Sequence, residues 1–135
     1  MTAEAAIKSH GSDTLTDGVR VRVVPSYVAS QSDPGEGKFV FAYRITITNE
    51  GDRTVRLRSR RWMIVDGDGE RRDVEGPGVV GQFPTLAPGE AFEYSSFCPL
   101  QTPWGTMEGT YEMETLDGTI VHVAVGRFYL VSTKR

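Results

Sequence analysis

Gly76, Gly78 and Gly81 stand in the spacing G-x-G-x-x-G, within Gly76-Pro77-Gly78-Val79-Val80-Gly81. In a dinucleotide site that spacing follows a strand and opens a helix, whose N-terminus meets the pyrophosphate. Here Pro84 and Pro88-Gly89 follow, so no helix of useful length can begin. Two readings stay open for the loop. One is a backbone nest that holds an anion without a helix. The other is a tight crossing between two sheets, for which glycine leaves room. Just upstream lie Arg56, Arg58, Arg60 and Arg61. Alternate strand residues share a face, so Arg56, Arg58 and Arg60 are expected to form a stripe. Such a stripe either grips a phosphate or acidic partner or is a solvated face that prevents edge pairing. The candidate anion ligands are therefore Gly76, Gly78, Gly81, Arg58, Arg60 and Arg61. Trp62 and Trp104 are the candidate partner contacts: Trp104 sits in a Pro/Gly loop, where an apolar side chain can anchor a partner, and Trp62 either stacks on a ligand or packs in the core.

Other chemistry finds fewer groups. Cys98 is the sole thiol, and the two histidines are His10 and His122. These give no zinc set at any standard spacing, and nothing in the sequence links Cys98 or a serine to a base. Asp66-Gly67-Asp68-Gly69-Glu70 begins like a calcium loop. An EF-hand needs Gly at position six and Glu at position twelve, where this chain has Arg71 and Pro77, so a turn is expected. Glu108, Glu112 and Glu114 alternate along one strand and read as its wet face. No catalytic residue, resident metal or cofactor is expected.

The elements that must position these residues are short strands. The chain has 135 residues, enough for one domain with a core that needs no staples. Fifteen glycines and seven prolines favour many turns over long helices. A net charge of −3 argues against nucleic-acid binding through overall charge. No apolar run approaches the roughly 20 residues of a membrane span, and the N-terminus lacks a signal-peptide core. One thiol suits a reducing compartment, so a cytoplasmic setting is expected.

Residues 1–17 carry no apolar period and are expected to form a loose arm that orders only by docking, with one domain over 18–135. Val19, Val21 and Val23 alternate with Arg20 and Arg22. Phe39, Phe41, Tyr43, Ile45 and Ile47 share one face of the next strand. Val55 and Leu57 begin another, whose parity slips near Ser59-Arg60-Arg61 before Trp62, which predicts a bulge. Short strands are expected near Glu70 to Glu75 and around Phe92 and Tyr94, separated by an ordered loop from Gly76 to Gly89. In the last hairpin, Met113, Tyr111 and Gly109 match Val121, Val123 and Val125 only if Leu116-Asp117-Gly118 is a three-residue loop. That register puts His122 opposite Glu112, as a cross-strand charge pair. Gly126 then resets parity for Phe128 and Leu130. The fold class is all-β: an antiparallel two-sheet β-sandwich with about seven to eight strands.

Several spaced stretches together resemble the ApaG (CorD) family. They are residues 57–66 around Arg60-Arg61-Trp62, Gly76 to Pro84, Leu86-Ala87-Pro88-Gly89-Glu90, Phe92 to Ser96, Cys98 to Pro103, and Gly105 to Met113. The resemblance spans nearly everything from Val19 to Leu130. It implies a fibronectin type III/immunoglobulin-like sandwich, brings no established catalytic residues, and implies a small cytoplasmic protein associated with cobalt and magnesium efflux. Similar domains are fused to F-box and polymerase-interacting proteins, which implies an unidentified protein partner. The alternative partner is a phosphate or nucleotide-pyrophosphate anion at the glycine loop. The chain departs from the family in carrying Arg61 where a histidine is usual, which weakens a metal or acid–base role there, and in lacking a proline near Gly126.

Overall fold

A computed structural model describes residues 10–132. Among them nine strands form two antiparallel sheets, and no α-helix occurs. The first sheet runs β1 (Ser12–Thr16), β2 (Val19–Tyr27), β3 (Phe39–Asn49), β7 (Ala91–Leu100). The second runs β5 (Arg71–Pro77), β4 (Val55–Asp66), β8 (Trp104–Thr115), β9 (Ile120–Val131), and the two-residue β6 (Thr85–Leu86) also pairs with β4. Among the described residues no helix is long and apolar enough to cross a membrane.

Strand alternation turns one face of each sheet inward. Val19, Val21 and Val23 from β2, Phe41, Ile45 and Ile47 from β3, and Tyr111, Met113, Val123, Phe128 and Leu130 from β8 and β9 build the core. Trp62 lies among them in edge-to-face contact with Tyr43, Tyr111 and Phe128 at ring separations of 5.8, 6.1 and 6.0 Å. Fully burying each large side chain contributes roughly 1.5–3 kcal/mol.

Two irregularities reset the inward face. On β4 the pairing with β8 shifts between Leu57 and Ser59, so Arg58 is the bulged residue. On β9 the pairing shifts between Met107 and Gly109 of β8, which brings Phe128 and Leu130 back inward beyond Gly126. The terminal hairpin has the expected register, Met113↔Val121, Tyr111↔Val123 and Glu112↔His122, around Leu116-Asp117-Gly118. Gly118 takes φ 88° there. Asp117 accepts hydrogen bonds from the Thr115 hydroxyl and from the Thr119 amide. These hold its carboxyl down at about 2, below the usual 3.8. Because the folded value is the lower, the stabilisation is present above the unfolded value and is lost as pH falls through about 2. An NMR titration of the Asp117 carboxyl should give a midpoint near that value; an ordinary midpoint contradicts this turn.

Two strands depart from the sequence expectation of seven to eight. β1 lies within the stretch read as an arm, where Ser12, Thr14 and Thr16 turn partly inward and Leu15 outward, an inverted pattern without apolar signal. It docks on β2 and also on β9: the Thr14 hydroxyl donates to the Ala124 carbonyl at 3.0 Å, and the Thr16 hydroxyl accepts from the Ala124 amide at 3.3 Å. Residues 1–9 of that arm lie outside the described residues. β6 is too short to carry a period. The β1/β9 side of the sandwich is thereby closed. The opposite side, between edge strands β7 and β5, is open.

Candidate functional site

A cavity of about 250 Å³ occupies the open side. Trp62, Met107 and Tyr43 lie at its base, Tyr94, Ser96 and Cys98 come from β7, and Arg72 and Val74 come from β5. Arg60 enters from β4, and Val79 and Val80 from the glycine loop. Val80 (51% exposed) and Phe97 (56%) form an apolar rim. Burial raises the phenols of Tyr43, Tyr94 and Tyr111 and the thiol of Cys98. At neutral pH these groups are therefore hydrogen-bonding groups, not anions. The Tyr94 and Tyr111 hydroxyls meet at 2.6 Å.

The bulge at Arg58 explains how an arginine reaches this cavity. Without it, Arg60 would share the outer stripe with Arg56 and Arg58. With the parity shifted, Arg60 falls in phase with Trp62 and Ile64, on the inner face. Its guanidinium donates to the carbonyls of Pro77 and Gly78 at 3.1 and 3.0 Å. The expected stripe is thus broken: Arg58 pairs with Glu114, and Arg61 pairs with Glu75 at 2.9 Å. These are exposed pairs of small energetic weight.

The glycine loop is a turn. Val79 and Gln82 exchange both backbone hydrogen bonds, at 2.9 and 2.8 Å, and the Gly78 amide donates to the Arg58 carbonyl at 3.0 Å. Three loop amides are therefore committed within the chain, which leaves a smaller nest than the sequence allows. Gly78 takes φ 61°, and a Cβ there would lie 2.4 Å from the Gln82 carbonyl oxygen. Val80 and Gly81 both have positive φ, 43° and 78°, as a type I′ turn requires. For a β-branched residue that conformation is strained. Val80→Asn should relieve the strain and raise stability by about 1 kcal/mol, read as the urea unfolding midpoint; a lower midpoint would mean that the valine is held by contacts worth more than the strain.

Of the sequence-derived candidates, Arg60, Gly76 and Gly78 come together, Arg60, Arg61 and Gly76 also border one depression with Glu112 and His122, and Arg58 turns to Glu114. Trp62 is 3% exposed and packs in the core at the base of the cavity. Trp104 is 46% exposed, at the Gly67 turn, where a Cβ on residue 67 would lie 2.7 Å from its Nε1. Thr102 fastens this corner, accepting from the Gly67 amide at 2.8 Å and donating to the Trp104 carbonyl at 2.7 Å. His122 faces Glu112 in register, yet no ion pair joins them among the described residues. Sequence reasoning missed Arg72, Val80 and Phe97. A signal existed for Phe97: it falls out of phase with Phe92 and Tyr94 and so points an aromatic ring outward.

Among the described residues no group of three or more His, Cys, Asp or Glu side chains could hold a metal ion. The neutral phenols, thiol and guanidiniums of the cavity offer hydrogen bonds and positive charge.

A sequence profile described as the ApaG domain matches residues 29–115. Protein ApaG of Methylobacterium sp. (strain 4-46) is 52% identical over 115 residues, covering 85% of this chain and 88% of that protein. Protein ApaG of Paramagnetospirillum magneticum is 50% identical over 117 residues, 87% of this chain and 90% of that one. A crystal structure of an ApaA protein from Bordetella pertussis superposes with a TM-score of 0.84 at 45% identity, covering 92% of this chain and all of that one. On these likenesses in sequence and fold, this chain is a member of the ApaG family.

Proposed function

We propose that the chain is a non-catalytic binding module that engages a protein partner through the open side between β5 and β7. The observation that carries this reading is the apolar rim. Val80 and Phe97 are large, exposed and set on either side of one cavity, whereas a single scattered apolar residue would need no explanation. Outward apolar side chains around a concave site are what a protein anchor needs. The association with cobalt and magnesium efflux that the family resemblance implies falls, on this reading, to the partner. A cytoplasmic setting, expected from the lone Cys98, belongs to the same proposal.

A photoreactive amino acid placed at Phe97 tests it. Crosslinking in living cells should give discrete protein adducts, and the same probe at Leu116, which is 85% exposed on the terminal hairpin, should not. Equal labelling from both positions, or none from Phe97, counts against the reading.

A second reading, an anion or nucleotide-pyrophosphate binder, draws support from Arg60 and Arg72, neither of which has a carboxylate partner among the described residues. Titration with pyrophosphate should then shift the Val79 and Val80 amides in NMR spectra. Unmoved signals there would retire it.

A further inference from the structure

β7 is the last strand of its sheet. The Asn49 amide donates to the Glu90 carbonyl at 2.9 Å, which fixes the phase of the β3–β7 ladder. Backbone groups alternate between the two sides of an antiparallel strand. The N–H and C=O groups of Ala91, Glu93, Ser95 and Phe97 therefore face away from β3, and none of them makes another backbone hydrogen bond among the described residues. Natural proteins protect such edges with charge and proline. β5 does so with Arg71, Arg72, Asp73, Glu75 and Pro77. Along Ala91–Phe97 the only charge is Glu93.

The charges around this edge are uneven. Arg58, Arg61, Arg71 and Arg127 on the second sheet are each paired with a carboxylate. Arg72 has only the Cys98 sulfur, at 4.0 Å, and Arg60 has only backbone carbonyls. Both line the cavity beside β7. A strand laid along β7 would place alternate side chains at that cavity.

The geometry points to a specific occupant: an extended segment of a partner protein that adds as a strand to β7 and sets an acidic side chain against Arg72. This rests on the protein-partner reading above and names the chemistry of the partner. A second copy of the chain is the less favoured occupant. An isologous contact would bring the same unpaired guanidiniums together from both sides.

Random peptides displayed on phage and selected against the full chain test the proposal, with the consensus then synthesised. The expected consensus alternates β-forming residues and carries Asp or Glu. The synthetic peptide should shift the amides of Ala91, Glu93, Ser95 and Phe97 and bind more weakly at high salt. Arg72→Gln should weaken it by about tenfold or more, and Arg72→Lys should restore part of that loss. Arg72 is exposed, so neither variant threatens the fold. No consensus, a consensus without an acidic residue, full affinity in Arg72→Gln, or a dimer that protects the β7 amides overturns the proposal. Protein adducts from Phe97 alongside any of those results would leave the partner reading standing and remove only the acidic strand.

Discussion

Replacing Gly109 by alanine is expected to destabilise the fold by roughly 3 kcal/mol or more. Gly109 lies on β8 opposite Trp62 of β4 and Val125 of β9. A Cβ there would sit 2.0 Å from the Arg61 carbonyl oxygen and 3.0 Å from Cε3 of the Trp62 ring. Neither neighbour has an easy retreat. The carbonyl belongs to the β4 backbone, and the indole is wedged between Tyr43, Tyr111 and Phe128. Since Trp62 also floors the cavity on the open side, the substitution should disturb the site along with the core. Urea unfolding measures the loss. A Gly109→Ala protein within about 0.5 kcal/mol of the parent would mean that β4 and β8 separate more readily than this packing allows.

Asn49 carries the second large effect. It is 1% exposed, and its side chain satisfies three backbone groups. Its Nδ2 donates to the carbonyls of Arg53 and Leu86 at 2.7 and 2.9 Å, and its Oδ1 accepts from the Gly51 amide at 3.0 Å. One side chain thus ties the β3–β4 turn to β6. Asn49→Ala removes all three bonds and frees the turn, at a cost of about 2–3 kcal/mol. Asn49→Asp should cost at least as much at neutral pH, because a carboxylate donates nothing to either carbonyl. The check is the ranking of unfolding midpoints; an Asp variant more stable than the Ala variant contradicts the assigned bonds.

The fold was legible wherever apolar residues marked an inner face. A buried face forbids a one-residue slip, so Met113 and Val121 fixed both the hairpin register and the length of its loop. The bulge on β4 could be sensed but not placed, because Arg58, Ser59 and Arg60 are all polar and none marks which way the strand faces. That ambiguity decided the site. One residue of phase separates an Arg60 on the outer stripe from the Arg60 that holds the glycine turn. β1 escaped notice because serine and threonine form its inner side. Arg72 escaped because nothing in its own sequence neighbourhood shows that β5 and β7 end up as the two lips of one opening. Asn49 carries no sequence signal of its burial, which depends on β6, a strand of only two residues.

On the proposed reading, the β7 edge is uncovered and available to a partner. Amide hydrogen exchange of the free chain addresses it most directly. Within β7, the amides of Phe92, Tyr94 and Ser96 should be protected by the ladder to β3, while those of Glu93, Ser95 and Phe97 exchange rapidly. Uniform protection along the strand would show that the edge is already occupied in solution and would contradict the account.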